Sequence, residues 1–247
     1  RLIILILIKL KENKMKRLLI TVLMLSGFFT IASAEVGVKL GVSAQIGSME
    51  ASGTESSSAG TSETSKVQKT LFATGGYFIE KDFAFLPGRA GELGSRLSIG
   101  YDNIVHDLNM GTADNARVQT GTVAAGDIVE STTHKLDAKI TGFETVYATL
   151  RITDWLYLKA GNVTVDVATQ FTGSATSSYA TNHELDGDVI GFGLVKSTEN
   201  GWFTRLEYND YSIDGKSVIN GGTDSVFTAK LNNVSGETTR LSFGKAV

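Results

Sequence analysis

Three histidines, His106, His134 and His183, are the residues best suited to general-base catalysis or metal binding in this 247-residue sequence. Each lies near the end of a segment in which apolar and polar residues alternate. Asp107 and Glu184 adjoin two of them, but consecutive residues of a strand point to opposite faces, so these acids are poor partners for the imidazoles. No spacing of ligand pairs indicates a metal site. The sequence therefore predicts no catalytic residue, no metal, no cofactor and no enzyme.

Three aspartates near one predicted loop, Asp210, Asp214 and Asp224, are the remaining candidates, because calcium binds carboxylate oxygens. Acidic side chains in loops are usually solvated, and we interpret these three in that way. The sequence contains no cysteine, which excludes thiolate chemistry and disulfide bonds. What chemistry there is must come from charged residues placed on strands.

The first 34 residues have the pattern of an export signal. Lys16 and Arg17 precede an apolar run over 18–31, and the small residues at 32–34 form a cleavage pattern. The run is short for a transmembrane anchor. Residues 1–14 are interpreted as an upstream extension, because Met15 alone begins a complete signal. We therefore assign 1–34 to a leader and cleaved signal peptide, and 35–247 to one mature domain.

Removal of the leader makes the chain acidic. It holds six of the 23 Lys and Arg residues and one of the 26 Asp and Glu residues, which leaves 17 basic against 25 acidic residues. An acidic exported protein is a poor candidate for nucleic-acid binding, so no nucleic-acid partner is predicted.

After residue 34 the dominant pattern is alternation of apolar and polar residues, which is typical of strands whose two faces meet different environments. No segment shows a convincing helical period. Eight alternating segments are separated by turn-rich sequence, and they predict strands at 36–47, 68–83, 95–107, 133–152, 155–171, 184–198, 201–213 and 226–246. The fold is therefore predicted to be all-β.

The connections between these strands alternate in length. Long ones rich in Gly, Ser, Thr, Asn and Asp are predicted at 48–67, 108–132, 172–183 and 214–225, and short ones at 86–94, 153–154 and 199–200. Outer-membrane barrels have short periplasmic turns and longer outer loops. The sorting favours an eight-stranded antiparallel up-and-down transmembrane β-barrel over 35–247, ahead of a soluble lipocalin-like binding barrel or a β-sandwich.

In this interpretation the charged faces of the strands point into the lumen. A lumen only eight strands wide is filled by side chains, and charges buried there must be paired. Neighbouring strands offer the pairs Lys39 with Glu80, Glu80 with Arg96, and Glu207 with Arg240. With one further residue they form a predicted luminal ion-pair network: Lys39, Glu80, Arg96, Arg205, Glu207 and Arg240.

The opposite faces are predicted to contact lipid. Aromatic residues near the strand ends predict girdles at the two interfaces, among them Tyr157, Phe171 and Trp202. The alternation at 163–167 predicts that Val163, Val165 and Val167 face lipid and that Thr164 and Asp166 face the lumen. By the same parity Lys159 faces lipid, so either it snorkels to the periplasmic headgroups or a bulge shifts the register.

Three segments resemble a known family: TVYATLRITDWLYLKAGNVTVDVAT, DGDVIGFGLVKSTENGWFTRLEYNDYSIDG and the closing TTRLSFGKAV. They are similar in character to eight-stranded outer-membrane barrels of the OmpA-like, opacity-protein type, in the porin-like version found in marine proteobacteria. The resemblance covers nearly all of 35–247. It implies fold more strongly than activity, because none of the segments is a catalytic motif.

The resemblance implies a Gram-negative outer-membrane location, with lipid and lipopolysaccharide around the barrel. It also implies delivery by periplasmic chaperones, insertion by the barrel assembly machinery, and a monomer. Two roles remain open: a structural or surface-contact barrel with a filled lumen, and a small-conductance porin for small solutes or ions.

Overall fold

The computed structural model describes residues 37–57, 64–84, 86, 88–118, 131–172, 182–219 and 227–247. The predicted leader and signal peptide, 1–34, lies outside these residues. Eight strands form the wall of one closed sheet: β1 (Val38–Ser57), β2 (Thr64–Asp82), β3 (Leu97–Ile104), β5 (Ser131–Arg151), β6 (Leu156–Thr172), β7 (Asn182–Ser197), β8 (Trp202–Ile213) and β11 (Val234–Ala246).

Each of these strands pairs antiparallel with the next in the chain, and β11 pairs back onto β1. The closing ladder runs from Lys39 opposite Ala246 to Glu50 opposite Ser235, so the sheet has no free edge along this seam. The predicted all-β fold, an eight-stranded antiparallel barrel, is therefore confirmed.

Three shorter strands extend the wall at the end away from the chain termini. β4 (Leu108–Val118) continues the line of β3 along β5, while β9 (Lys216–Ile219) and β10 (Phe227–Leu231) pair with each other. β10 also pairs with the upper part of β1, beginning at Gly53 opposite Leu231. The predicted loops at 48–67, 108–132 and 214–225 were too long, because Ser and Thr residues continue the backbone ladder beyond the apolar alternation.

The opposite end of the barrel carries short connections, as the sequence predicted. The connection from β2 to β3 contains one short helix, α1 (Arg89–Gly94), and tight turns join β5 to β6 and β7 to β8. Gly201 has φ +80 in the second of these turns, a conformation that favours glycine. The amide of Val247 donates to the carbonyl of Val38 at 2.9 Å, so the closing strand also ends here.

No helix among the described residues is long and apolar enough to cross a membrane.

On β6, β7, β8 and β11 the outer surface of the barrel changes chemistry halfway along the strands, whereas on β2 Leu71 and Val67 remain exposed apolar residues farther out. Next to the turns, large apolar side chains point outward and are exposed, among them Leu40, Val42, Ile46, Tyr77, Leu150, Leu158, Ile190, Phe192, Leu194, Leu206, Leu241 and Phe243. Farther from the turns the same faces carry exposed polar side chains, among them Glu50, Asn162, Asp166, Glu184, Asp186, Asp188, Asp210, Ser212 and Glu237. The apolar part, which we call the apolar belt, has the chemistry of a surface that contacts lipid. The polar part has the chemistry of a surface that contacts water.

The interior changes in the opposite sense. Polar and charged side chains are buried near the turns, whereas apolar ones fill the far half. On β6, Lys159 is 3% exposed inside the barrel while Leu158 is 48% exposed outside, yet Val163 and Val165 also point inward. A single strand therefore passes from a membrane-type to a water-type environment.

This change overturns the predicted parity of β6. Val163 and Val165 belong to the internal apolar cluster and Val167 packs against it, whereas Asp166 is exposed on the outside. The lipid-facing assignment of the three valines was wrong. The prediction treated the whole strand as lying in lipid. The same face of β6 points inward along its whole length, and beyond the bilayer its residues are apolar because they form the core.

Candidate functional site

One bidentate ion pair in the lumen joins β2 to β8. Glu80 is 0% exposed, and Arg205 donates to both of its carboxylate oxygens, with 2.6 Å between Nη2 and Oε2. The hydroxyl of Tyr147 donates to the same carboxylate at 2.9 Å. A bidentate guanidinium–carboxylate pair is a strong, directional contact, and it fixes both side chains in the middle of the lumen.

A second bidentate pair lies beside the first. Arg240 of β11 donates to both carboxylate oxygens of Asp102 on β3, and its Nη2 also donates to the hydroxyl of Ser43 at 2.6 Å. Arg240 is 1% exposed. The two arginines therefore reach across the barrel from adjoining strands, β8 and β11, to acids on β2 and β3.

Two lysines complete the charged layer. Lys159 donates to Glu207 at 3.3 Å, and its ammonium lies 4.2 Å from the centre of the Tyr147 ring. Lys39 lies 3.7 Å from Asp82, 4.0 Å from Glu80, and 3.2 Å from the Ser98 hydroxyl. We call the eight residues of these ion pairs the ionic layer: Lys39, Glu80, Asp82, Asp102, Lys159, Arg205, Glu207 and Arg240.

The structure places five of the six predicted network residues in the ionic layer. Lys39 and Glu80 are opposite in register, as predicted. Glu207 and Arg240 are also opposite in register, but they bind Lys159 and Asp102 respectively. Glu207 and Arg240 thus form ion pairs with residues on strands that are not their neighbours, and not with each other.

The sixth residue, Arg96, does not enter the ionic layer. It lies exposed in the turn after α1, and the residue opposite Glu80 on β3 is Gly100. Glu80 and Arg96 are therefore not opposite each other in the ladder between β2 and β3, and the predicted pair does not form. The helical turn lifts the start of β3 to residue 97, which places Arg96 at the rim of the barrel.

Sequence reasoning missed Asp82, Asp102 and Lys159 as members of the layer. The partner of Asp102 is Arg240, which lies three strands away in the wall, so pairing of neighbouring strands could not reveal it. Lys159 was assigned to lipid by a parity counted from the distant valines. The cost of a lysine on the lipid face was the signal that could have reversed that choice.

The three predicted girdle aromatics have different positions. Trp202 is 43% exposed on the outer face and stacks on Phe243, with ring centroids 5.0 Å apart. Tyr157 is 3% exposed inside the lumen, and the guanidinium carbon of Arg205 lies 5.4 Å from the centre of its ring. Its lipid-facing assignment was wrong because it was predicted from the parity of the valines. Phe171 lies outside the residues whose side chains are described.

Above the ionic layer the lumen is closed by an apolar plug. Phe143 and Tyr211 meet edge to face at its centre, with centroids 5.3 Å apart. The plug comprises these buried residues: Met49, Ile104, Leu108, Ile140, Phe143, Val163, Val165, Leu185, Val189, Tyr211, Ile213 and Val234. An ion that passed the charged layer would next meet an apolar interior, where the loss of its hydration is costly.

The two candidate catalytic histidines whose side chains are described lie on different parts of the barrel wall. His106 lies exposed between β3 and β4, His183 lies on β7 opposite Val167, and the side chain of His134 is outside the described set. Within the described part of the chain, no group of three or more His, Asp or Glu residues could hold a metal ion. The buried acids and bases of the lumen are instead paired with each other.

Comparison with known proteins gives similarity in structure only. No family model and no curated protein matches this sequence. The outer membrane protease OmpT from Escherichia coli matches at 10% identity and TM-score 0.46, over 88% of this chain and 99% of that one. The outer membrane protein OprG from Pseudomonas aeruginosa matches at 8% and 0.41, over 85% and 97%. Ail, the attachment invasion locus protein of Yersinia pestis, matches at 10% and 0.27, over 81% and 98%.

At these identities the matches assign no activity to this chain. Its class follows from its own surface, because a closed barrel with charges inside and exposed apolar side chains outside is built for lipid. The chain is an integral, transmembrane β-barrel of the outer-membrane type.

Proposed function

We propose that this protein is a non-conducting, non-enzymatic outer-membrane barrel of OmpA-like type whose role is structural or one of surface contact. The observation that carries the proposal is the presence of two successive obstructions in one lumen. The ionic layer fills the membrane half and the apolar plug fills the half beyond it. A pore for ions or small solutes requires a continuous wet path, and neither layer supplies one.

The ionic layer is held by strong ion pairs, but paired charges can exchange partners without leaving the lumen. The apolar plug differs, since opening it requires several side chains such as Phe143, Tyr211 and Val163 to leave their packing together. Close-packed interiors resist that displacement. The alternative role, a small-conductance porin, therefore needs rearrangement of two unlike layers and not the switching of one salt bridge.

The length of the strands favours a contact role on the outer side. β1 has 20 residues and β5 has 21, whereas a transmembrane strand needs only about 9–11 residues. The remaining ten or so residues carry the wall about 20 Å past the hydrocarbon at the usual rise and tilt. The polar outer half therefore extends the barrel wall beyond the lipid-facing half.

The same proposal includes the surroundings that the sequence resemblance implied. Lipid and lipopolysaccharide contact the apolar belt, periplasmic chaperones and the barrel assembly machinery deliver the chain, and the barrel functions as a monomer. The long ladder between β1 and β11 supports a monomer, because it closes the wall of the barrel within one chain.

Planar-bilayer recording of the refolded chain tests the proposal. We expect no steps of conductance, both for the natural sequence and for Glu207→Ala. A refolded sample is recognised by its heat-modifiable mobility in gels, so silence is counted only for folded protein. Steady channels in the natural sequence that change in Glu207→Ala would establish the porin instead.

A further inference from the structure

The mouth of the lumen at the short-turn end contains a small, partly enclosed recess. Four cationic side chains line it, namely Lys39, Arg96, Arg151 and Arg205, and its described lining includes no carboxylate side chain. The hydroxyls of Ser98 and Thr149 contribute further polar groups. A recess of this composition has the chemistry of an anion site.

Two of the four cations have their charge offset by the ionic layer. Arg205 binds Glu80, and Lys39 lies near Asp82 and Glu80. The other two, Arg96 and Arg151, form no ion pair with any residue that the structure describes.

The backbone holds these two unpaired arginines together, because the amide of Arg151 donates to the carbonyl of Arg96 at 2.7 Å. Arg151 is also near enough to Lys39 for their charges to repel. The mouth therefore concentrates positive charge that no described side chain neutralises.

Two buried donors without partners belong to residues that line the same recess. Tyr157, which lines the recess and is 3% exposed, has a hydroxyl with no hydrogen-bond partner among the described residues. The Nε of Arg205, another lining residue, is also buried and unpartnered. Buried polar groups in folded proteins are usually hydrogen-bonded, so these two donors indicate a missing acceptor.

We propose that the recess binds one phosphate-type oxyanion, held by Arg96 and Arg151 at the rim and by the Tyr157 hydroxyl at the base. Planar guanidinium groups bind two oxygens of a phosphate at once. A doubly charged phosphate offsets more of the local charge than a carboxylate does. Two sources carry this chemistry at the periplasmic face: free phosphate and the headgroup of a phospholipid.

Isothermal titration of the refolded chain in maltoside micelles, with inorganic phosphate as the probe, tests the free anion. We expect one saturable site whose affinity falls about tenfold or more in Arg151→Gln, because each lost charge-assisted contact is worth at least that much. Lys245→Gln is the matched control, since Lys245 is an exposed lysine on the outer wall at the same end. Its affinity should equal that of the natural sequence.

Native mass spectrometry with dioleoyl phosphatidylglycerol tests the lipid source. Retention of one lipid that is lost in Arg151→Gln and kept in Lys245→Gln assigns the site to a headgroup phosphate. Arg96→Gln is the second variant should Arg151→Gln fail to fold, because Arg96 is exposed in a turn. Absence of both phosphate and lipid binding, or equal losses in Arg151→Gln and Lys245→Gln, would overturn the proposal. Neither result depends on whether the lumen conducts.

Discussion

Arg205 on β8 and Glu80 on β2 are 125 residues apart in the sequence, and their bidentate ion pair spans the lumen of the barrel. The contact exists only because the sheet closes, since β2 and β8 are not neighbours in the wall. Tyr147 from a third strand, β5, hydrogen-bonds to the same carboxylate. This one cluster therefore joins three parts of the wall, and its removal tests how far the ionic layer stabilises the barrel.

Glu80→Gln should lower the free energy of unfolding by about 3–5 kcal/mol, because it leaves the guanidinium of Arg205 buried without its counter-charge. Urea titration in lipid vesicles, followed by gel mobility, measures this quantity. Glu50→Gln is the control, since Glu50 is exposed on the outer face of β1, and it should change stability by less than about 0.5 kcal/mol.

The double variant Glu80→Gln with Arg205→Met should recover part of that loss, because it removes both charges together. A Glu80→Gln protein as stable as the natural one would show that the pair contributes little.

Lys159→Met distinguishes a luminal from a lipid-facing lysine by the sign of its effect. In the lumen the substitution leaves Glu207 buried without its ion pair, so stability should fall by about 3–5 kcal/mol. On the lipid face the same change would remove a charge from hydrocarbon and raise stability by about 2–4 kcal/mol. The same unfolding titration reports both outcomes, and Leu158→Met on the adjacent outer position should be nearly neutral.

Single-cysteine labelling should locate the point where β6 leaves the membrane, since the natural sequence has no cysteine to interfere. In vesicles, Asp166→Cys should react with a water-soluble maleimide because that position is exposed beyond the apolar belt. Leu158→Cys, facing lipid, and Val165→Cys, inside the plug, should react only after unfolding. Fast labelling at Val165 and none at Asp166 would restore the parity that the alternation alone predicted.

Opening the barrel should require both layers to be disrupted. Glu207→Ala alone should leave liposomes as tight to small ions as the natural protein, because the apolar plug remains. Combining it with Phe143→Ala and Tyr211→Ala, which removes the aromatic pair at the centre of the plug, should produce measurable ion flux. The double variant Phe143→Ala with Tyr211→Ala, which keeps Glu207, is the matched control. Ion flux from Glu207→Ala by itself would assign the whole barrier to the ionic layer.

Alternation and turn length were sufficient to predict the closed eight-stranded fold. Both are local properties of the sequence, and they do not depend on which residues are paired between strands. Strands such as 155–171 and 201–213 were placed within a residue or two of β6 and β8. Lys39 and Glu80 could be paired for the same reason, since the strands that hold them are consecutive. The polar faces of the strands also predicted five of the eight charged residues of the ionic layer.

The sequence by itself determined that the chain forms strands of alternating chemistry and that charges such as Glu80 and Arg240 need partners. The tertiary structure alone decided which face of a strand points inward at each height, and which partners meet across the lumen. Closure brings Arg240 to Asp102 and Lys159 to Glu207, contacts set by the barrel's width and not by sequence spacing. It also carries the strands beyond the bilayer, where water replaces lipid outside and the apolar valines of β6 become the core.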